Sequence, residues 1–164
     1  VKFYISPTHF ASQREFIIRD EDQNKLFRIK GRFLFSMRWL KMRDMNDAFI
    51  YGVRKHFTLG FIRRYHITDD ERKIVASIKR TYGFLRPKFT VSVAEDTYQV
   101  DGSLYQHRFE ITKDGETYAR ISKSVFSFGD AFEIEVLHER SPLLFMFLIV
   151  TIDQFLHERK KFFK

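Results

Sequence analysis

The chain has 164 residues, enough for one domain with a proper core and too few for two comfortable ones. Hydrophobic residues make up 44%, which excludes wholesale disorder, and the absence of cysteine excludes disulfides, thiolate catalysis and cysteine-ligated zinc together. A formal charge of +8 directs attention to an anionic partner, a membrane surface or nucleic acid, although simple solubility accounts for such a balance equally well.

The first elements are two short strand-like runs, KFYIS and SQREFIIRD, on either side of Pro7. Residues 1–20 hold no continuous apolar stretch of the signal-peptide kind. In the second run Phe16 and Ile18 alternate with Glu15, Ile17 and Arg19, the pattern of a half-buried strand. DEDQN (20–24) is a polar turn. LFRIKGRFLF follows, with Phe27 and Ile29 on one face and Arg28 and Lys30 on the other.

From there the chain repeats itself. Ile29–Phe33 (IKGRF) is echoed by Val53–Phe57 (VRKHF), Ile78–Tyr82 (IKRTY), Val100–Leu104 (VDGSL) and Ile121–Val125 (ISKSV), at intervals of 24, 25, 22 and 21 residues. Each unit opens at a polar turn: DEDQN, then RDMND (43–47), TDDER (68–72), AED (94–96) and KDGE (113–116). The spacing would suit a leucine-rich repeat, but no such consensus is present. The internal chemistry predicts strand, basic or polar kink, strand, turn. Five such units and the N-terminal runs give about twelve strands, and no segment before Ser141 offers a helix of three turns.

Ser141–Phe155, SPLLFMFLIVTIDQF, closes the order. Ser141 suits an N-cap and Pro142 the first helical position, so a helix starts there. Between Leu143 and Ile152 only Thr151 is polar, so the helix is apolar on every side and has to be buried. Glu139 and Arg140 before it and Asp153 after it leave it short of the about 20 apolar residues that a bilayer span needs. A sheet of about twelve strands must either pack as two layers or close, and a closed one leaves an interior its own side chains do not fill. A helix of roughly 22 Å fits that space. The expected fold is therefore mainly β: a closed antiparallel barrel around a buried C-terminal helix, as a single domain over 1–164, with strands over about 3–137 and the helix over about 142–158.

EFIIRDEDQNKLFRIKG, YGVRKHFTLGFIRRYHI, YQVDGSLYQHRFEI, ARISKSVFSFGDAFEIEV and the ending LLFMFLIVTIDQ, in that order, resemble the LURP-one-related family of the tubby-like C-terminal fold, which phospholipid scramblases share. The resemblance covers about Phe3 to Leu156 and implies twelve strands around a hydrophobic C-terminal helix. Tubby-type domains bind phosphoinositide headgroups, so it also implies an anionic lipid. The scramblases' acidic calcium segment before the final helix is not matched by FEIEVLHER, which argues against calcium-driven scrambling.

Catalytic signatures are missing: there is no GxSxG elbow, P-loop or HExxH pair. The histidines (His9, His56, His66, His107, His138, His157) are scattered, none within three to five residues of another, so no zinc spacing exists. Asp20, Asp22 and Asn24 imitate a calcium loop, but Lys25 stands where its glycine belongs and Gly31 where its bidentate glutamate belongs. Asp69–Asp70 and Glu133/Glu135 fit a turn and an outward strand face. No enzyme, cofactor or metal is expected.

The basic residues remain. Arg38, Lys41 and Arg43 follow one strand, Arg54 and Lys55 lie in a kink, and Arg63–Arg64 and Arg86–Pro87–Lys88 follow the next two. If successive strands are neighbours, Arg38, Arg63, Arg64, Arg86 and Lys88 meet on the outer wall and bind phosphate groups through charge-assisted hydrogen bonds. The tail HERKKFFK (157–164) suits an anionic surface, or simply a helix end whose cations complement the dipole. The expectation is a non-enzymatic cytoplasmic module, peripheral at a membrane, whose partner is an anionic membrane surface or phosphorylated ligand. Nucleic-acid binding and protein–protein recognition stay open as alternatives.

Overall fold

A computed structural model describes residues 1–8, 14–34, 37–56, 62–82, 87–103, 107–123 and 131–157. Twelve strands run in chain order: β1 (Lys2–Thr8), β2 (Arg14–Arg19), β3 (Lys25–Leu34), β4 (Met37–Asp44), β5 (Phe49–His56), β6 (Arg63–Thr68), β7 (Ile74–Tyr82), β8 (Pro87–Val93), β9 (Asp96–Ser103), β10 (Arg108–Lys113), β11 (Glu116–Lys123) and β12 (Phe132–Val136). Each pairs antiparallel with the next, and β12 returns to β1 with Phe3 opposite Ile134, so the sheet closes. Closure removes both edges, which disposes of the exposed-edge problem of a long meander.

Period-two alternation fixes the register of every strand, because a slip of one residue would turn its apolar set outward. Ile29, Leu40, Met42, Tyr65, Ile67, Ile78, Val91, Phe109, Ile111 and Ile134 all face in and are at most 1% exposed. The five echoed segments begin in β3, β5, β7, β9 and β11, which all run the same way along the barrel. The sequence predicts kinks at their basic stretches, but regular strand runs through them. Residues 30–32 continue β3 and residues 54–56 continue β5 as regular strand, because alternating outward cations need no break in the ladder.

The helix α1 (Pro142–His157) fills the interior. Every residue from Leu144 to Ile152 is at most 4% exposed, so no face of it reaches solvent. The Ser141 carbonyl accepts from the amides of Leu144 and Phe145, and Thr151 Oγ1 donates to the Phe147 carbonyl at 2.8 Å, satisfying the one polar side chain of the apolar run. Phe145 packs edge-on to Tyr98 and Phe147 stacks on Tyr51. Near the far end Asp153 meets His107 Nδ1 at 2.7 Å. The helix therefore threads the barrel from the end that holds the starts of β9 and β11 to the end that holds the start of β10.

At the first of those ends, the turns after β2, β4 and β6 are one construction made three times. Asp20, Asp44 and Asp69 each accept from the amide four residues on through Oδ1, at 2.8–2.9 Å. Gln23, Asp47 and Arg72 each take a positive φ of 62–69° to close the turn. The turn needs an aspartate, so this end is acidic for a structural reason. Asp20 also shows that the calcium-loop imitation is a turn: its second oxygen accepts from Asn24 Nδ2 at 2.9 Å. That contact holds its carboxyl below the usual range.

Candidate functional site

The outward positions of β3 to β8 build the site. They are Arg28 and Lys30 (β3); Trp39, Lys41 and Arg43 (β4); Gly52, Arg54 and His56 (β5); Arg64 and His66 (β6); Ser77, Lys79 and Thr81 (β7); and Lys88, Thr90 and Ser92 (β8). The ladder sets them side by side: Arg28 opposite Arg43, Lys30 opposite Lys41, Arg54 opposite His66, His56 and Lys79 flanking Arg64, and Lys88 opposite Thr81. Opposed strand residues have Cβ atoms about 5 Å apart, so like charges here repel at close range. Among these described outward positions no carboxylate occurs. At the β2 border Glu15 reaches Arg28 Nε at 3.3 Å, and at the turn end Arg43 donates to the Asp47 carbonyl at 3.0 Å.

Two aromatic rings on this wall already lie against cations. Lys41 Nζ is 4.8 Å from the Trp39 ring centroid and the Arg43 guanidinium 5.8 Å from that of Phe49. Phe49 in turn packs over Gly52, where an added Cβ would come within 3.0 Å of the ring. Higher on the wall His56 and His66 meet edge to face, centroids 5.1 Å apart, and His66 Nδ1 shares a hydrogen bond of 3.0 Å with Ser77 Oγ. Partial burial, then the His56 and Arg64 charges, hold His66 below the ordinary imidazole range. A serine hydroxyl on an imidazole nitrogen is half of a nucleophile–base pair. Among the described residues, however, no carboxylate orients the other ring nitrogen of His66.

The opposite wall is charged too, but its charges answer one another. One row crosses β9, β10, β11, β12 and β1 as Asp101, Glu110, Arg120, Glu135 and Lys2. Arg120 Nε donates to Glu135 at 2.8 Å, and Lys2 Nζ lies 3.2 Å from Glu133, which raises the lysine's proton affinity. Thr112 and Thr117 donate to Asp101 and Glu110 at 2.7 and 3.0 Å. An open groove of about 570 Å³ runs over this row, floored by Gly102 and Ser122.

The five residues expected at the site fare differently. Arg64 and Lys88 are exposed and outward on β6 and β8. Arg63 is exposed at the first position of β6, opposite Arg80, in the inward register. Arg38 is the second residue of β4, opposite Phe33 and also in the inward register, and its side chain lies outside the described residues, as does all of Arg86. Arg80, which no motif picked out, turns inward and is 1% exposed with its guanidinium 5.5 Å from the Phe89 ring. Arg54, His56, His66 and Lys79 join Arg64 instead, and the signal for them was strand phase: each occupies the outward parity that Arg64 occupies.

Among the described residues no helix is long and apolar enough to cross a membrane. The barrel is apolar within and charged without, the reverse of what a lipid-facing barrel requires. Nor does any described cluster of three or more histidine, aspartate or glutamate side chains suit a metal ion.

Comparison with known proteins agrees with this architecture. The family model described as LURP-one-related matches residues 1–153. A Bacillus subtilis (strain 168) protein, called the uncharacterized protein YxjI, is 23% identical over 157 residues, covering 96% of this chain and 94% of that one. The X-ray structure of an Arabidopsis thaliana protein is similar with a TM-score of 0.64 at 16% identity, covering 93% of this chain and 90% of that one, a likeness of fold.

Proposed function

The chain belongs to the LURP-one-related family, and from that premise we propose that this barrel is a binding module, acting without catalysis, for an anionic ligand of the phospholipid-headgroup kind. The observation that carries the proposal is the wall from β3 to β8, where Lys30, Arg54, Arg64, Lys79 and Lys88 face outward with no carboxylate among the described outward positions. Crowded cations on a rigid sheet repel one another, and an external anion relieves that repulsion while arginine offers it bidentate donors. The filled interior supports the same view, since a lumen occupied by α1 leaves the outer surface as the place for a ligand. Arg64 on β6 and Lys88 on β8, the exposed Arg63 at the first position of β6, and Arg38 and Arg86, whose side chains lie outside the described residues, are the further basic residues we assign to this role.

A nucleic-acid partner would share the charge but needs rings free to stack on bases. Trp39 and Phe49, the aromatics of this wall, lie against Lys41 and Arg43, and Tyr65 and Phe89 are buried. A peripheral cytoplasmic location follows from the lipid proposal. Sedimentation with anionic and with neutral vesicles at two salt concentrations tests it. Salt-sensitive pelleting with the anionic vesicles alone is expected, and equal recovery in both supernatants would sink the proposal.

A further inference from the structure

We propose that Arg54, His56, Arg64, His66 and Lys79 form one subsite for a phosphate group, and that the group is bound together with a proton. The inference rests on the basic wall being the binding surface, and adds which part of it engages a phosphate and what regulates it. Three adjacent strands supply the residues. Arg54 lies opposite His66, His56 opposite Arg64, and Arg64 opposite Lys79, so the five side chains leave the sheet as one contiguous patch. The two imidazoles touch edge to face, which makes them neighbours rather than independent groups.

Every element packed against His66 presents cations or neutral groups. β5 offers Arg54 and His56, β7 offers Ser77 and Lys79, and β6 itself offers Arg64 and Thr68. The nearest carboxylate along β6, Asp69, is engaged by the Glu71 and Lys73 amides of its own turn. Without an anion, then, a proton on His66 meets only like charge and partial burial, and it stays off. A phosphate group above the patch inverts that sign, because it attracts the imidazolium that the arginines repel. Binding and protonation favour each other, and linkage requires the two effects to be equal. Ser77 makes the change inexpensive. Its hydroxyl can donate to Nδ1 of the neutral ring or accept from Nδ1–H, as it must from the charged one, so the 3.0 Å contact is compatible with either protonation state and Nε2–H of the charged ring is a donor for the ligand.

The test uses vesicles of phosphatidylglycerol in phosphatidylcholine, whose phosphodiester keeps one charge across the whole range, so any pH dependence belongs to the protein. Sedimentation is compared at about pH 5.5 and about pH 8 for the unmodified protein and for His56→Gln/His66→Gln. The expected result is about fivefold tighter binding at the acid pH, from a charge gained near the surface, and loss of that difference in the double variant. Histidine ring resonances of the unmodified protein, titrated with and without glycerophosphoglycerol, give a measurement independent of any variant: the His66 midpoint should move up with the headgroup present. If the soluble headgroup displaces the protein from vesicles, the phosphate group alone is recognised; if it does not, the lipid surface is the source. Equal binding at both pH values, or a pH difference that persists in the double variant, overturns the proton coupling and leaves the basic wall standing. Absence of binding at either pH removes the basic wall and this subsite with it.

Discussion

The β3–β8 wall and the β9–β1 wall are built from the same alternating strands over the same interior, yet they treat charge in opposite ways. On the second, Arg120 pairs with Glu135 opposite it and Lys2 with Glu133 diagonally across the ladder, while Asp101 and Glu110, opposite each other, accept from Thr112 and Thr117. On the first, Arg28 faces Arg43, Lys30 faces Lys41 and Arg64 faces Lys79. Opposed unlike charges add a few tenths of a kcal/mol each to a sheet, and opposed like charges subtract a similar amount. The protein thus keeps one wall that supports its own fold and one that strains it slightly. An external anion would relieve the repulsion among the cations of the first wall, in keeping with the proposed role.

The largest effect should come from removing what both walls share. Deletion of 141–164 takes out a helix with nine consecutive residues, Leu144–Ile152, at most 4% exposed. Large buried side chains contribute about 1.5–3 kcal/mol each before entropy, in sum as much as or more than the roughly 5–15 kcal/mol that holds a typical domain together. The truncated chain should be insoluble or unfolded by circular dichroism, and a soluble folded monomer would show that the walls stand without their filling. The next effect should separate the walls. Arg54→Gln/Arg64→Gln should weaken binding to anionic vesicles by about thirtyfold, from about 1 kcal/mol per cation, with a melting temperature unchanged or slightly raised.

Much of this architecture was legible in the sequence because it rests on local rules. The echo from Ile29 to Ile121 marks five of the six strands that run one way, and DEDQN, RDMND and TDDER mark turns that an aspartate builds in the same manner each time. The all-round apolarity of Leu143–Ile152 called for a surrounding wall. The site was less legible, because proximity along the chain was the wrong measure. Arg63–Arg64 looks like a pair, but alternation sends its members to opposite sides of the strand, while Arg54 and His66, twelve residues apart, sit side by side. Scattered histidines gave no motif, and only the ladder brings His56 against His66. Register, which decides both facts, is a property of the closed sheet as a whole.

A smaller effect should appear on the self-neutralised wall. Glu135→Gln removes the negative charge that pairs with Arg120, whose side chain is about half exposed, so the cost should be at most about 1 kcal/mol in denaturant titration. Vesicle binding should stay unchanged. A loss of binding there as large as that of the Arg54/Arg64 double variant would erase the distinction between the walls.

The smallest effect concerns pH, and its sign separates strain from support. His66 binds its proton less readily when folded than when unfolded, because burial, His56 and Arg64 all oppose the charge. Above the unfolded value near 6.5 both states are neutral there and His66 contributes no pH dependence. As pH falls through that value toward the lower folded one, the unfolded chain takes up more protons, so the folded state loses stability. His66→Gln cannot bind the proton in either state and removes this part of the loss. Between about pH 7 and about pH 5 the unmodified protein should therefore drop further in melting temperature than the variant, most visibly at low salt, where the neighbouring arginines are least screened. If the variant drops as far as the unmodified protein, His66 is not strained by its neighbours, and the β3–β8 wall is less repulsive than its register implies.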